Sequence, residues 1–472
     1  MKLHRFVVLF LVILCTQSCA GDNRNPKRTD SIAKDTVIAT SAASPDSFPI
    51  GKLIDTVPCT GNATQSYALY IPAVQNKTPL PIVYFFDPHA SGSLPLRKYQ
   101  QLANSYGFIL VGSNNSKNGN SWDQAEATWQ ALSADTRRRL NIDPQRIYTA
   151  GFSGGAKVAG YVALQHPEIK GVIANSAGLP DGAPADNYGF SFTAIAGEGD
   201  MNMTELVAIN AAFDKTSTPH RILLFNGKHE WAPEATMNEA FTGFQFDAMR
   251  NKGLPVNEAL INSFTGSSKN AVEKSNKENK LVQAVAQCTL AINLLKGISN
   301  ESSWFEQQSA AITSKPAYQH QLQAKQQLLE KEQQIKSQYM QQFQQGDMNY
   351  WTKTIDDLQA KAKAQTADGA MYQRLLAYLS LAFYSYSNQL IKNNQNEPAQ
   401  YFVNLYKMAD PTNSEAWYFS AILQARKNEV KGAENDLLKA VACGFNEKER
   451  LRSQPEFHSV GINFSRIEKA IK

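Results

Sequence analysis

The sequence predicts an α/β domain with a mostly parallel sheet and helices on both faces, followed by a separate all-α domain. Three observations carry this expectation. Between Ile50 and Arg250, short apolar β-type runs alternate with stretches of helical periodicity, the pattern of strand–helix units that build a parallel sheet. Some of those runs are apolar throughout, as in Pro81–Phe86 (Pro-Ile-Val-Tyr-Phe-Phe), which a strand buried on both faces requires. Past residue 251 the β-type runs vanish, while glutamine, lysine and alanine rise at helical spacing.

Taken in order, the chain opens with Lys2 and Arg5, the apolar run Phe6–Leu14, and Thr16-Gln17-Ser18-Cys19. A charged head, a short apolar core and a small-residue cleavage region read as a secretory signal, and the apolar run is too short to span a bilayer. Cys19 follows a small residue and resembles the bacterial lipoprotein signal, in which that cysteine becomes the lipidated first residue. The alternative is plain cleavage and release. Residues 1–19 are therefore expected to export the protein and to leave it membrane-anchored by lipid, in the periplasm or at the cell surface. Residues 20–48 are rich in Asp, Asn, Ser, Thr, Ala and Pro with almost no large apolar side chains, so they read as a flexible tether.

Residues 49–250 hold the α/β domain. Strands are expected at Tyr67–Ile71, Pro81–Phe86, Phe108–Gly112, Ile147–Ala150, Gly171–Asn175, Phe190–Ala196 and Arg221–Phe225. Helices are expected at Leu96–Tyr106, Trp122–Leu140, Ala156–His166, Met203–Lys215 and Ala235–Met249. Residues 251–472 form the helical domain. Pro316 starts and Gly346 stops one long helix whose Leu322, Leu328, Leu329, Ile335, Tyr339 and Phe343 make a single apolar stripe, with glutamine and charge on the solvated face. Trp417, Ala421, Ala433, Leu437 and Ala440 fall on the spacing of a tetratricopeptide helix pair. One repeat of 34 residues earlier stand Ser387, Ala399 and Pro411, acceptable in the slots of Ala421, Ala433 and Phe445. A tetratricopeptide-like domain implies a protein or peptide partner.

The composition narrows the chemistry. A net charge of +5 is small for 472 residues and gives no ground for a nucleic-acid partner, so none is expected. Past the signal only Cys59, Cys288 and Cys443 remain, far apart, odd in number and without metal-ligand spacing. The fold must rest on its apolar core, and no metal or organic cofactor is implied.

What does stand out is Gly151-Phe152-Ser153-Gly154-Gly155, between the Ile147 run and small residues at helical spacing. Gly-x-Ser-x-Gly between a strand and a helix is a nucleophile elbow: it lifts the serine hydroxyl clear of the sheet at the positive end of a helix. Only residues without a Cβ fit two positions to either side of so tight a turn. A serine needs a base, usually histidine oriented by a carboxylate, and in this arrangement acid and base follow at the ends of later strands. Of seven histidines, His4 lies in the signal, His320 and His458 in the helical domain, and His166 caps the helix after the elbow. His220 precedes its strand, at the wrong end of the sheet. His89 comes before the elbow. His229, in Phe225-Asn-Gly-Lys-His-Glu-Trp-Ala-Pro233, alone follows a strand after the elbow.

For the acid, Glu198 and Asp200 both qualify in Gly197-Glu-Gly-Asp-Met-Asn202. Asp200 is preferred for its shorter side chain after two glycines, although it also suits the role of helix cap. An oxyanion needs two donors. One is the Gly154 N–H; the other lies in Asp87-Pro-His-Ala-Ser-Gly92, at Ala90 or its neighbour Ser91. Trp122 and Trp231 are candidates to face an acyl or aryl group, with ordinary loop packing as the alternative.

Pro81–Gly92, Phe108–Asn115, Gly151–Gly155, Gly197–Asn202 and Gly227–Pro233 together resemble the α/β-hydrolase superfamily, and within it the dienelactone-hydrolase and feruloyl- or polyhydroxyalkanoate-esterase branch of secreted bacterial proteins. The resemblance implies Ser153 as nucleophile, Asp200 as acid, His229 as base, and Ala90 with Gly154 as oxyanion donors. It further implies a small-molecule or polysaccharide-linked ester as substrate. One departure stands out: the family's His-Gly at the oxyanion loop is His89-Ala90 here, and a methyl group restricts positive φ. A serine peptidase of the same fold, or a hydrolase-fold scaffold without turnover, are the competing readings.

Overall fold

In the computed structural model, which describes residues 48–74 and 78–471, the β-type runs become one eight-stranded sheet. Chain order is β1 (Leu53–Cys59), β2 (Asn62–Tyr70), β3 (Leu80–Phe86), α1 (Ser93–Tyr106), β4 (Ile109–Ser113), α2 (Trp122–Arg139) and β5 (Ile142–Phe152). It continues with α3 (Gly154–Gln165), β6 (Ile169–Asn175), β7 (Ser191–Gly197), α4 (Met203–Phe213), β8 (His220–Phe225) and α5 (Glu234–Arg250). Spatial order is β1-β2-β4-β3-β5-β6-β7-β8, with β3 to β8 parallel and β1 and β2 antiparallel at one edge. Every residue of β4 and β7 is buried, as strands covered on both faces must be. The expected signal, with Cys19, and residues 20–47 lie outside the described residues.

The sequence reading lacked β1. Leu53–Cys59 alternates weakly, is half-exposed and carries Pro58, a residue tolerated on an edge strand because its missing N–H faces no partner. Its pairing with β2 slips at two places, so pattern alone gives little sign of it.

The β1–β2 edge is tied down by one buried carboxylate. Asp135 of α2 accepts from Thr60 N and Oγ1 (3.0 and 2.6 Å), Tyr67 Oη (2.9 Å), and the guanidinium groups of Arg138 and Arg139 (2.6 and 2.9 Å). Burial pushes its carboxyl up, but the bonds from Thr60, Arg139 and Tyr67 outweigh that and hold it at about 2.

After α5 the chain is helical throughout its described residues. The next helices are α6 (Glu258–Lys277), α7 (Leu281–Leu295), α8 (Ser302–Thr313), α9 (Pro316–Gln345) and α10 (Met348–Lys361). Then come α11 (Ala367–Lys392), α12 (Asn396–Ala409), α13 (Ser414–Arg426), α14 (Val430–Ala442) and three short helices to Ala470. Residue 250 marks the change from mixed to all-helical structure, but the compact unit runs on to Gln326. The reason is a shared core. Phe246 and Met249 of α5 are buried with Ile261, Val272, Cys288, Leu294 and Phe305 from α6 to α8. Arg250 adds a cap, donating to the carbonyls of Asn293, Leu294 and Lys296 at the end of α7 (2.7–3.1 Å) while Asp247 holds its other side.

The second unit has its own core, in which Trp351, Phe383, Tyr418 and Phe457 are among the buried side chains. Helix α11 packs with α12 and α13 with α14, and Ala399, Ala421, Ala433 and Ala440 are buried in that core.

Because the folded-state carboxyl of Asp135 is depressed, its contribution is fully present above its ordinary value of 3.8 and lost as pH falls towards about 2. Asp135→Asn is expected to unfold at lower urea than the parent at pH 7. The gap should narrow as pH drops from about 4 to about 2, read from paired urea titrations; a gap independent of pH would contradict this account.

Candidate active site

The site forms where the carboxyl ends of β3, β5, β7 and β8 meet. The strand β5 ends at Phe152, and α3 begins at Gly154, leaving Ser153 alone in the turn with φ 53° and ψ −123°. That is a sparsely populated conformation for a residue with a Cβ, costing on the order of 1–3 kcal/mol. It is reached because the flanking glycines allow close approach. A Cβ on Gly151 would come within 2.0 Å of the Gly155 carbonyl, and one on Gly155 within 2.0 Å of the Phe86 carbonyl. The Ser153 N–H is fixed to Asn175 O (2.8 Å) at the end of β6. As the first residue of α3, Gly154 has an N–H with no acceptor inside the helix.

Asp200 and His229 lie on the loops after β7 and β8. Asp200, fully buried, accepts from the Asn202 N–H (2.9 Å) and from His229 Nδ1 (3.0 Å) through the same Oδ1. The other imidazole nitrogen, Nε2, stands 3.0 Å from Ser153 Oγ. A carboxylate can only accept, so Nδ1 carries the proton and Nε2 accepts from the serine hydroxyl. Asp200 does not cap α4, whose N-cap is Asn202; its side chain closes a turn onto the Asn202 N–H just before the helix. Glu198 is exposed, and its N–H is tied to Phe225 O (2.8 Å).

The remaining histidines stand apart from this chain of bonds. His166 ends α3, and its ring meets the Glu126 carboxylate (3.0 Å). His220 starts β8 at the opposite end and meets Asp214 (3.0 Å) and Thr218 O (2.8 Å).

Three hydrogen-bonded clamps position the segment that carries His229. Gly199 N donates to Gly227 O (2.8 Å), joining the Asp200 loop to the His229 loop. The buried Asn175 side chain donates to Glu230 O (3.2 Å) and accepts from Ala232 N (2.7 Å). From α1, Lys98 Nζ donates to Trp231 O (2.9 Å) and Tyr99 Oη to Ala232 O (2.7 Å). Sequence reasoning missed Asn175: a single asparagine at a strand end carries no motif, and its partners lie 55 and 57 positions away.

The two expected tryptophans differ in their surroundings. Trp231 is 5% exposed, with its ring among Phe85, Tyr99 and Phe152 and its Nε1 donating to Asp87 Oδ2 (2.9 Å), so it presents no face to a ligand. Trp122 is half-buried and stacks one face on Tyr161 of α3 (centroids 4.8 Å, 17° between planes). Phe152, before the serine, is half-buried with its ring 4.9 Å from that of His229.

The oxyanion loop follows β3. Burial pushes the Asp87 carboxyl up, but hydrogen bonds from His89 and Trp231 outweigh it and hold it below the usual range. Asp87 therefore stays ionised and braces the loop, accepting from His89 N (2.9 Å). Ala90 does take the left-handed conformation a glycine would favour, at φ 57°. Its N–H donates back to Asp87 O (3.2 Å), closing a tight turn rather than standing open like that of Gly154.

Ser153, Asp200 and His229 thus follow β5, β7 and β8 of one mostly parallel sheet, with the serine on a strained strand-to-helix turn. This is an α/β-hydrolase fold. No family model and no curated protein matches the chain. Among solved structures it is similar to an esterase from the hyperthermophilic archaeon Pyrobaculum calidifontis, at 15% identity over 43% of this chain and 85% of that one (TM-score 0.34). It is also similar to the fluorophosphonate-binding serine hydrolase FphF of Staphylococcus aureus, at 13% identity over 42% and 99% of the two chains (TM-score 0.33). A ferulic acid esterase aligns at 16% identity over 41% and 95% (TM-score 0.33).

The packing around the elbow makes Gly155→Ala disruptive, because backbone rather than a flexible side chain opposes the added methyl. Its cost is expected at about 1–3 kcal/mol, read as a lowered urea midpoint. Asn175→Ala should leave Glu230 O and Ala232 N without their partner, at about 1–3 kcal/mol, with a loss of any activity that needs His229. Full retention of both stability and activity would show that the clamp is dispensable.

Proposed function

We propose that this protein is an exported serine hydrolase that cleaves carboxylic esters through a covalent acyl-enzyme. The single observation that carries the reading is the bonded sequence Ser153 Oγ, His229 Nε2, His229 Nδ1, Asp200 Oδ1, with both contacts at 3.0 Å. A hydroxyl is a poor nucleophile until a base takes its proton, and an imidazole held in one tautomer does so.

In the acylation step Ser153 Oγ bonds to the ester carbon, the carbonyl π pair moves onto oxygen, and the hydroxyl proton passes to His229 Nε2. Collapse of the adduct breaks the bond to the leaving alkoxide, which takes that proton. Water then attacks the acyl-serine with His229 again as base, releasing the acid and restoring the hydroxyl. Asp200 stabilises the imidazolium without itself taking the proton. The Gly154 N–H supports the transient oxyanion, at the positive end of α3.

Half-exposure of both Ser153 and His229 suits a small-molecule or polysaccharide-linked ester. The charged head, apolar run and cysteine of residues 1–19 support export and lipid anchoring through Cys19 at the periplasmic or cell-surface side of a membrane. In this reading the tetratricopeptide-like helices supply a second surface, for a protein or peptide partner.

Incubation with a fluorophosphonate probe should label Ser153, located by peptide mass mapping, and Ser153→Ala should abolish the label. Turnover of p-nitrophenyl acetate should fall about 10⁴- to 10⁶-fold in the same variant. A folded protein that takes no label would instead favour the non-catalytic scaffold. Cleavage of amides in preference to esters would favour the peptidase.

A further inference from the structure

Beside the Gly154 N–H, the two expected second donors differ: Ala90 has its N–H turned onto Asp87 O at 3.2 Å, while its neighbour Ser91 makes no such bond among the described residues. A different group lies beside the hole. The loop between β4 and α2, residues 114–121, is laid against the oxyanion loop: Asn118 N donates to Pro88 O (2.8 Å), and Lys117 pairs with His89 in an isolated antiparallel bridge.

This loop holds four asparagines; two of them bind it to the body of the domain, and a third braces it from within. Asn114 donates through Nδ2 to Asp55 O (3.0 Å). Asn115 accepts from Ser66 N (2.8 Å) and donates to Thr64 O (3.0 Å). Asn120 donates to Asn115 O (3.0 Å). Asn118 is the exception. Among the described residues its side-chain amide makes no hydrogen bond, and it lies over Gly154, where an added Cβ would come within 1.9 Å of Asn118 Oδ1. A half-turn about the last side-chain bond exchanges the oxygen and nitrogen ends of that amide, so either can face the site.

We propose that Asn118 is a catalytic residue whose side-chain Nδ2 is the second oxyanion donor. The inference rests on the ester-hydrolase reading above. Ser153 Oγ adds to the carbonyl carbon while the π pair moves to oxygen. The Gly154 N–H then meets that oxyanion from the helix end, and Asn118 Nδ2–H meets it from the β4–α2 loop. The backbone bond from Asn118 N to Pro88 O holds the residue beside Gly154 before substrate arrives, so only the side-chain amide has to turn as charge develops. The unusual Ala90 fits this division: a residue with a methyl group is acceptable there because its N–H closes the turn instead of serving the reaction.

The test uses three full-length proteins, the parent, Asn118→Ala and Asn118→Asp, each assayed with p-nitrophenyl acetate and with the fluorophosphonate probe. Asn118 is exposed, so both variants should melt like the parent. Loss of the donor in Asn118→Ala should lower kcat by about 10²- to 10³-fold with little change in KM, and slow the labelling of Ser153 as well. Asn118→Asp keeps the shape but sets a carboxylate beside a developing negative charge, so it should be slower than Asn118→Ala. A structural or merely space-filling role predicts the opposite order, with the isosteric aspartate close to the parent. If Ser153 is labelled in the parent and kcat of Asn118→Ala stays within about threefold, the inference is overturned while the hydrolase reading stands. If the folded parent takes no label, the hydrolase reading fails and this inference with it.

Discussion

The whole site depends on one strained residue. Ser153 stands at φ 53° because the strand before it and the helix after it approach too closely for any relaxed turn. Glycine at positions 151 and 155 removes the two Cβ atoms that would otherwise collide with backbone carbonyls, and Phe86 O on the neighbouring strand is one of those carbonyls. The strain is therefore not local in origin: it is imposed by the register of β5 against β3 and β6, where Phe86 faces Gly151 and Phe152 faces Asn175. A cost of a few kcal/mol is tolerable because the surrounding sheet, buried on both faces, over-determines the backbone.

The loops that complete the site are held by bonds that link them to one another. The segment around His229 is attached to the acid loop through Gly199, to the end of β6 through Asn175, to α1 through Lys98 and Tyr99, and to Asp87 through the indole of Trp231. Asn175 joins both sides of the relay, since its carbonyl holds Ser153 and its side chain holds the base loop. An imidazole half exposed to water gains its orientation from this scaffold and not from its own burial. The ionised Asp87 does the same for the oxyanion loop, with burial opposed by the donors that surround it.

Beyond the sheet, helices α6 to α8 extend the core of the first unit rather than forming a body of their own. Phe246 and Met249 supply the apolar face, and Arg250 fastens the end of α7. The second unit is built from helix pairs whose small residues allow close crossing, Ala421 against the partner helix carrying Ala433 among them. Glu332 and Arg374 form a buried ion pair there, tying α9 to α11 (2.6 Å).

Periodicity and glycine placement by themselves determined the order of strands and helices, the elbow at Ser153, and the loops that carry Asp200 and His229. Continuous apolar runs and a turn crowded with glycine leave few alternatives for the local chain, because each residue there answers to its nearest neighbours. The edge strand Leu53–Cys59 escaped that reading, since a half-exposed, bulged strand has no strong period. Other features were decided only by long-range packing. Among them are the 3.0 Å contacts across 29 and 76 positions, the burial of Trp231, and the Asn175 clamp. Each depends on which strand ends the sheet brings together, and sheet order is a property of non-local hydrogen bonding that no window of sequence contains.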